Sequence, residues 1–391
     1  MNIDNKVLTL GAFCLLMLCG CSSKEDDLTS SAQHDLIEPN PVKIELSSQT
    51  KELVSASTRA ALEGGADMDI PDIGIFGLAR ATQVWSPSDL YDLTEWNWAD
   101  WNSYDANRAC ILYNVRSNKV GTNIEWGEQD AIYFYPITQV YAYDFYGYYP
   151  WVADASLVKT DTKVSVQYTI NGTQDLLWGR ATSTDPMGYS ARYFRQSSTS
   201  NGEKPDIALN HLLTRLTFSV VPGESYSGSN DYTAATYMSV EEVKILDAKT
   251  HLEVTIADLN NLNMEISDRI TAYDNTTADL TLYKKDDGQT TATAGVPTSP
   301  SNPVTLGESI MLLPEAQYEI YIKLKLNDPN NFGEFDQTFV TEVPLSLLPV
   351  GTEFEPGKSY SVKIIVHGPR DISLQSTLVE WDEETGPEIE L

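Results

Sequence analysis

Strict alternation of apolar and polar residues constrains the fold of this chain more than any other feature of its sequence. Apolar side chains at every second position put one face of a strand in a core and the opposite face in water. The alternation is clearest at Ile320, Ile322, Leu324 and Leu326, which are separated by Tyr321, Lys323 and Lys325. Further candidate strands are Val42 to Leu46 and residues 132–135, 140–146, 164–170, 216–220, 243–245, 252–256 and 360–366.

Turn-forming dipeptides separate these segments, and helical periods are scarce. Examples are Asn171-Gly172, Pro222-Gly223 and Pro356-Gly357. Short strands at this spacing favour antiparallel β-sandwiches over parallel β-α-β units. The sequence therefore predicts an all-β protein. Residues 206–216 fit neither period well, and their structure stays open at this point.

Charge and composition exclude one class of partner. The 391 residues carry a formal net charge of -30, and 41% of them are hydrophobic. This hydrophobic content is enough for packed cores, and the length is typical of two domains. A strongly acidic chain lacks the basic surface that neutralises phosphates, so we expect no nucleic acid partner.

The N-terminus has the order of a bacterial export signal. Lys6 precedes an apolar run from Val7 to Leu18, and Gly20 then leads to Cys21. Leu18 to Cys21 resembles a lipobox, whose cysteine is diacylated and becomes the first residue of the mature protein. Several acyl chains on Cys21 would anchor the protein in the outer membrane. An ordinary signal peptide that is cleaved nearby is the alternative.

Few residues are suited to catalysis or metal binding. The four histidines, His34, His211, His251 and His367, have no partners at metal-ligand or triad spacing. Cys14 and Cys19 belong to the export signal and Cys21 is the lipid site, which leaves Cys110 as a small buried hydrophobe without a disulfide partner. We therefore predict no enzymatic activity, no cofactor and no metal.

Aromatic residues are the remaining candidates for a binding site. Trp96, Trp98 and Trp101 lie close together among acidic residues, and their rings suit stacking on a sugar as well as burial in a core. These three residues are our candidate glycan-binding site. Tyr141, Tyr143, Phe145 and Tyr149 share one face of a predicted strand, for which burial is the favoured interpretation.

Several short motifs of strand and turn residues follow one another over nearly the whole chain. After the lipobox and the first alternating strand, the motifs are Thr58 to Ala60, Ile73 to Phe76, Phe145 to Pro150 (FYGYYP), Asp175 to Gly179 (DLLWG), Asn210 to Phe218 (NHLLTRLTF), Met311 to Pro314 (MLLP), Phe354 to Tyr360 (FEPGKSY) and Trp381-Asp382. In their joint order the chain resembles the fimbrillin family.

The resemblance implies two transthyretin-like antiparallel β-sandwich domains in a lipid-anchored pilin subunit of surface fimbriae. The export signal, the expected cleavage after Arg59 and the Ser-, Gly- and Asn-rich stretch 196–205 give the boundaries. Residues 1–20 are the lipoprotein signal peptide, 21–59 a leader with a tether and the first strand, 60–205 the N-terminal domain and 206–391 the C-terminal domain. Members of the family are processed by an arginine-specific protease and polymerise with other pilin subunits by exchanging strands. A monomeric surface lipoprotein that binds host or dietary glycans is the alternative function.

Two segments correspond to the strands that such an exchange requires. Val42, Ile44 and Leu46 form the candidate leader strand, and cleavage is expected between Arg59 and Ala60, with Arg80 as the second choice. The candidate donor is the C-terminal tail with Ile372, Leu374, Leu378 and Trp381. The same alternation also suits the last strand of the chain's own second domain, in which case we expect a tip or accessory subunit.

Overall fold

The described part of the chain folds almost entirely into β-strands. The computed structural model describes residues 41–50, 69–84, 110–136, 141–160, 162–184, 188–196, 203–224, 235–285, 289–326, 338–347, 349, 353–368 and 371–379. One short helix, α1 (Ala191–Gln196), and 3-10 turns at Asp154–Ser156, Ala235–Tyr237 and Ile266–Arg269 accompany the strands. The prediction of an all-β protein is confirmed.

The first sheet is a closed ring of seven strands, here called the closed sheet. Its members are β1 (Ser47–Thr50), β2 (Ile70–Val84), β3 (Cys110–Val120), β4 (Asn123–Trp126), β5 (Tyr141–Tyr149), β8 (Leu177–Ala181) and β9 (Asp206–His211). Around the ring the order is β1, β4, β3, β2, β5, β8 and β9, and the pairing of β1 with β9 closes it. The ring encloses an apolar core that includes Ile73, Ile75, Phe145, Ile207 and Leu209.

Gly179 fixes the distance between two strands of this ring. It lies on β8, and a Cβ atom at this position would come within 2.4 Å of the Ala208 carbonyl oxygen on β9. Real Cβ atoms do not approach a backbone oxygen so closely, so only glycine permits the observed contact between the strands. The glycine of the DLLWG motif thus allows β9 to lie close to β8, and β9 in turn pairs with β1.

A second sheet of four strands combines two separate parts of the sequence, residues 157–169 and 251–272. Its order is β13 (Ile270–Ala272), β12 (His251–Asp258), β7 (Lys163–Thr169) and β6 (Leu157–Lys159). One apolar core includes Val164 and Val254 from this sheet together with Phe76 and Tyr148 from β2 and β5. Strands β2 and β5 therefore bury both faces, which explains their long apolar runs.

The remaining strands form two sheets around a third core. One sheet has the order β16 (Val304–Leu312), β10 (Thr214–Pro222), β19 (Ser359–Gly368) and β20 (Asp371–Val379). The other contains β14 (Thr277–Thr281), β11 (Met238–Lys249), β17 (Tyr318–Leu326) and β18 (Thr338–Leu347), and β15 (Ala294–Gly295) pairs with β11. Their shared core includes Phe218 and Val362 from the first sheet and Val243 and Ile322 from the second. This arrangement is a β-sandwich.

Two strand pairs differ from the expected antiparallel pattern. Strand β1 runs parallel to β9, and β10 runs parallel to β19. In both pairs the partners come from distant parts of the chain, and no tight turn dictates an antiparallel direction. The division into two domains between residues 205 and 206 stays a prediction. Hydrogen bonding is continuous beyond that point, because β9 begins at Asp206 and belongs to the closed sheet.

Most predicted strands occur where the alternation placed them. Segments 164–170, 216–220, 243–245, 252–256, 320–326 and 360–366 fall largely or wholly within β7, β10, β11, β12, β17 and β19. Two segments are exceptions. Val42 to Leu46 and residues 132–135 are joined by an isolated bridge between Lys43 and Phe134 and form no regular strand, and β1 begins directly after Leu46, at Ser47. The open segment 206–216 divides into β9 and the start of β10.

Candidate functional site

Most residues that the sequence singles out lie outside the described part of the chain. These are the lipidation site Cys21, the processing site Arg59 and Ala60, and the candidate glycan-binding residues Trp96, Trp98 and Trp101. Arg80 belongs to β2. The candidate leader strand, in contrast, is described in full, and the site is built around it.

The leader segment, residues 41–50, inserts one of its faces into the closed sheet. The side chains of Ile44 and Leu46 are each 2% exposed, and Ser48 is 0% exposed. At the alternate positions, Lys43 and Glu45 face the solvent. The predicted alternation is confirmed, and it extends to Ser48, which is not among the predicted inward-facing residues. Its position two residues after Leu46 is the signal in the sequence that marks it.

Hydrogen bonds join one side of the leader segment to β4 and to the residues that follow it. The Ile44 N–H donates to the Tyr133 carbonyl oxygen (2.8 Å), and the Tyr135 N–H donates to the Val42 carbonyl oxygen (3.0 Å). Further along, the Ile124 N–H donates to the carbonyl oxygen of Leu46 (3.1 Å). This side therefore has backbone partners along its length.

The opposite side of the leader segment pairs with β9 in parallel register. Ser47 to Thr50 lie beside Asp206 to Leu209. The Ser47 N–H donates to the Pro205 carbonyl oxygen (2.9 Å), and its hydroxyl donates to Asp206 Oδ1 (3.1 Å). The leader segment thus occupies the position between β4 and β9 and closes the ring.

An ion pair adds little to this attachment. Lys204 Nζ lies 3.0 Å from Glu45 Oε2, and both side chains are more than half exposed. Exposed pairs of this kind contribute about 0–1 kcal/mol. Full burial of an Ile or Leu side chain contributes about 1.5–3 kcal/mol. The side chains of Ile44 and Leu46, with the backbone bonds, therefore hold the leader segment in place.

The strand β20 provides a contrast at the other end of the described chain. It pairs with β19 and forms one edge of its sheet in the described part of the structure. Ile372 and Leu374 pack against the sandwich core but are only partly buried, and Leu378 is 49% exposed. This strand completes its own sheet with one paired side.

The tyrosine-rich face of β5 belongs to the core. Tyr143 and Phe145 are 2% and 0% exposed inside the closed sheet, which confirms the favoured interpretation for these two residues. Tyr135 packs beside Phe145 with its ring centroid at 6.1 Å, and burial raises the pKa of its hydroxyl well above the ordinary value. These rings are not accessible to a sugar.

Two potentially reactive side chains in the described residues, Cys110 and His211, pack against other parts of the fold. The sequence predicts a buried Cys110, but the residue is only partly buried, at the edge of an apolar core. Desolvation of its thiol raises the pKa to about 12, so it is not a thiolate nucleophile at neutral pH. His211 Nδ1 lies 2.7 Å from Asp175 Oδ2, and both side chains are buried where β8 and β9 meet. No group of three histidine, cysteine, aspartate or glutamate side chains in the described ranges is arranged to hold a metal ion.

No helix within the described ranges has both the length and the hydrophobicity that crossing a bilayer requires.

Comparison with known proteins identifies the family. Residues 58–381 match the family described as Fimbrillin-like. The chain belongs to the fimbrillin-like family. The predicted resemblance is confirmed, and the family implies a structural, pilin-like subunit of fimbriae at the cell surface. No curated protein matches the sequence.

Solved structures of cell adhesion and fimbrial proteins match most of the chain at low sequence identity. A candidate cell adhesion protein from Bacteroides uniformis is 13% identical, with a TM-score of 0.44 over 87% of this chain and 99% of that chain. A fimbrilin from Porphyromonas gingivalis is 10% identical, with a TM-score of 0.40 over 87% and 98%. The fimbrial anchor protein Mfa2 from Porphyromonas gingivalis is 9% identical, with a TM-score of 0.33 over 87% and 98%.

Proposed function

We propose that this fimbrillin-like chain is a structural and adhesive pilin subunit that polymerises by donor-strand exchange. It is exported as a lipoprotein that is anchored in the outer membrane through Cys21. An arginine-specific protease then cleaves between Arg59 and Ala60, and the subunit joins other pilin subunits in a fimbrium. The observation that carries the proposal is the insertion of the leader segment between β4 and β9.

Loss of the leader segment would create an acceptor for a strand. The segment fills two positions in the core with Ile44 and Leu46 and covers backbone groups on both neighbours. Its departure exposes apolar surface and two unpaired strand edges at once. An incoming strand restores both, which is the physical basis of β-augmentation. Cleavage at Arg59 supports this role because it separates the leader segment from β2 and everything that follows.

In the structure β20 completes its own sheet, the arrangement for which a tip or accessory subunit is expected. We propose that β20 leaves this sheet in the polymer and supplies the donor strand, and the accessory role is the alternative. The position between β4 and β9 that the leader segment leaves is here called the groove. Strand β20 has the alternation that the groove requires, and it is paired on one side by β19. Ile372 and Leu374 are only partly buried in their own sheet, whereas Ile44 and Leu46 are almost completely buried in the groove. Transfer of β20 into the groove of a second copy replaces one paired side by two and places Ile372 and Leu374 at positions whose occupants are almost completely buried, and both changes favour exchange.

In this proposal, a lipid on Cys21 anchors the precursor in the outer membrane until the protease cleaves it. Two or three acyl chains hold a protein stably. Cleavage after Arg59 breaks the covalent link to that anchor, and the subunit is released when the leader segment leaves its position between β4 and β9. The leader segment thereby couples release from the membrane to opening of the groove. The tryptophans Trp96, Trp98 and Trp101 remain the predicted glycan-binding residues of the adhesive function, with an unknown receptor.

Surface fractions of expressing cells test the proposal directly. Polymers that are joined by exchanged strands should give heat-resistant ladders on denaturing gels, and N-terminal sequencing should begin at Ala60. The variant Arg59→Ala should retain the leader segment and lose the ladder, whereas Arg80→Ala, the matched control, should keep it. A single band from processed wild-type protein would contradict polymerisation and favour the monomeric glycan-binding lipoprotein.

Deletion of β20 and the residues after it separates a donor from an accessory subunit. If the chain donates a strand, the variant that ends at residue 370 should be processed but form no homopolymer. If the chain only accepts a strand, ladders with other pilin subunits should persist. Circular dichroism of the variant checks that the closed sheet, which contains no residue after 211, keeps its β-structure.

A further inference from the structure

The three inward-facing positions of the leader segment differ in size and chemistry. Ile44 and Leu46 are large and apolar, and the third position holds the small, polar Ser48. All three side chains are almost completely buried. Polar side chains are rarely buried this deeply unless they form hydrogen bonds, so the third position differs from the first two.

Ser48 bonds to both neighbours of the leader segment. Its N–H donates to the Thr122 carbonyl oxygen, next to β4, at 3.0 Å. Its hydroxyl donates to the Ile207 carbonyl oxygen on β9 at 2.8 Å. The side chain thus lies against the backbone of β9. Protein interiors are close-packed, so a larger side chain at this position must displace one of its neighbours.

The interior of the closed sheet also contains polar side chains on β3, close to the position of Ser48. Ser117 and Lys119 are both 0% exposed. Lys119 Nζ donates to the Gly121 carbonyl oxygen at 2.6 Å, one residue before the partner of Ser48, Thr122. A hydroxyl group suits such surroundings better than a large apolar side chain does. Two observations, close packing and polarity, therefore favour a small hydroxyl residue at the third position.

The pattern Ile-x-Leu-x-Ser occurs twice in the sequence. The first occurrence is Ile44, Leu46 and Ser48, and the second is Ile372, Leu374 and Ser376 on β20. In their own sheet, Ile372 and Leu374 already face the sandwich core on the same side of the strand. Strand β20 can therefore present to the groove the same three side chains, at the same spacing, as the leader segment.

We propose that the groove selects its incoming strand at the position of Ser48, where it requires a small hydroxyl residue four positions after the first large apolar residue. This inference rests on the proposed strand exchange. It assigns a register, in which Ile372, Leu374 and Ser376 of a second copy replace Ile44, Leu46 and Ser48. A strand that is shifted by two residues places Leu378 at the third position and is rejected.

Peptide exchange into the cleaved protein tests this inference. The full chain is cleaved after Arg59, so that the leader segment stays bound without a covalent link. A fluorescent peptide of residues 371–379 is added, and fluorescence anisotropy reports its binding. The parent peptide should bind and displace the leader segment. The Ser376→Leu peptide should bind about tenfold more weakly or worse, a factor that corresponds to about 1.4 kcal/mol.

A matched control uses the same substitution on the opposite face. Ser373 takes the place of Glu45 in the assigned register, and Glu45 is exposed. The Ser373→Leu peptide should therefore bind like the parent. Equal binding of the Ser376→Leu peptide would overturn the selection by Ser48, while strand exchange would stand. If neither the parent peptide nor a peptide of residues 41–50 binds, strand exchange itself is wrong.

A third arm tests whether the two apolar residues suffice. The sequence Ile44-Glu45-Leu46 recurs as Ile389-Glu390-Leu391. A peptide of residues 383–391 offers these residues but nothing at the third position. It should bind about tenfold more weakly than the parent peptide, for the same reason. Binding as tight as that of the parent would also overturn the role of the third position.

Discussion

The leader segment and β20 have the same pattern of side chains in different surroundings. Both carry Ile-x-Leu-x-Ser, yet the leader segment has neighbours on both sides and buries its three residues almost completely. Strand β20 has one neighbour in the described structure and buries its residues only in part. Because both strands carry the same pattern, the difference in burial follows from their surroundings, and the leader segment has two paired sides where β20 has one.

Truncation of a buried leader side chain should give the largest effect. We expect Leu46→Ala to lower the free energy of unfolding by about 3 kcal/mol, because it removes a buried side chain and leaves a cavity. Urea denaturation of the intact chain measures the change. Glu45→Ala is the control, and its exposed side chain predicts a change within about 0.5 kcal/mol. Similar values for the two variants would show that the leader segment is not part of the core.

Enlargement of the third inward position should have the next largest effect. Ser48→Leu forces a larger side chain against β9 and removes a buried hydrogen bond, so we expect a loss of about 2 kcal/mol. Gln49→Leu introduces the same side chain at the exposed neighbouring position and should change stability by less than about 0.5 kcal/mol. Thermal unfolding of both proteins makes the comparison. A Ser48→Leu protein as stable as wild type would mean that this position tolerates large residues.

The equivalent truncation in β20 should cost less than in the leader segment. Ile372→Ala removes a partly buried side chain, and we expect a loss of about 1 kcal/mol, well below the loss for Leu46→Ala. Chemical denaturation under identical conditions gives both values. If the loss for Ile372→Ala equals or exceeds that for Leu46→Ala, β20 is held as firmly as the leader segment, and its role as a donor is weakened.

Removal of the ion pair should have the smallest effect of the four. We expect Lys204→Ala to change stability by less than about 0.5 kcal/mol, because both partners are largely exposed and screened by salt. Unfolding at low and high salt measures the contribution. A loss above about 1 kcal/mol that persists at high salt would show that charge, rather than apolar burial, attaches the leader segment.

The sequence predicts strands well because their period is local, but it does not predict their partners. Val42, Ile44 and Leu46 alternate as expected, and the inward face they define is the observed one. The parallel pairing of β1 with β9 was not predictable, since the side-chain pattern contains no information about a neighbour's direction. The pattern that ends in Ser48 and in Ser376 is visible in the sequence, but the burial of Ser48 against β9 is visible only in the structure.

Two segments were misread or left open for identifiable reasons. Residues 132–135 alternate, yet only Tyr133 and Tyr135 bond through their backbones to the leader segment. Residues 206–216 combine the period of β9 with Leu212 and Leu213, which lie in the core that β2 and β5 share with the second sheet. A chain that crosses between two cores buries consecutive residues, and this obscures a period of two. The roles proposed for the site residues outside the described ranges stay predictions; these residues are Cys21, Arg59, Ala60, Trp96, Trp98 and Trp101.

The closing pair of the ring also sets an order of events during synthesis. Ser47 and Asp206 are 159 positions apart in the chain, so the leader segment leaves the ribosome long before its partner strand exists. Contacts of such long range form late, since the intervening loop must close first. The earliest strand to be made is thus among the last to find its place. Until then the groove stays open, and a nascent subunit is at greatest risk of capturing a strand from the wrong molecule.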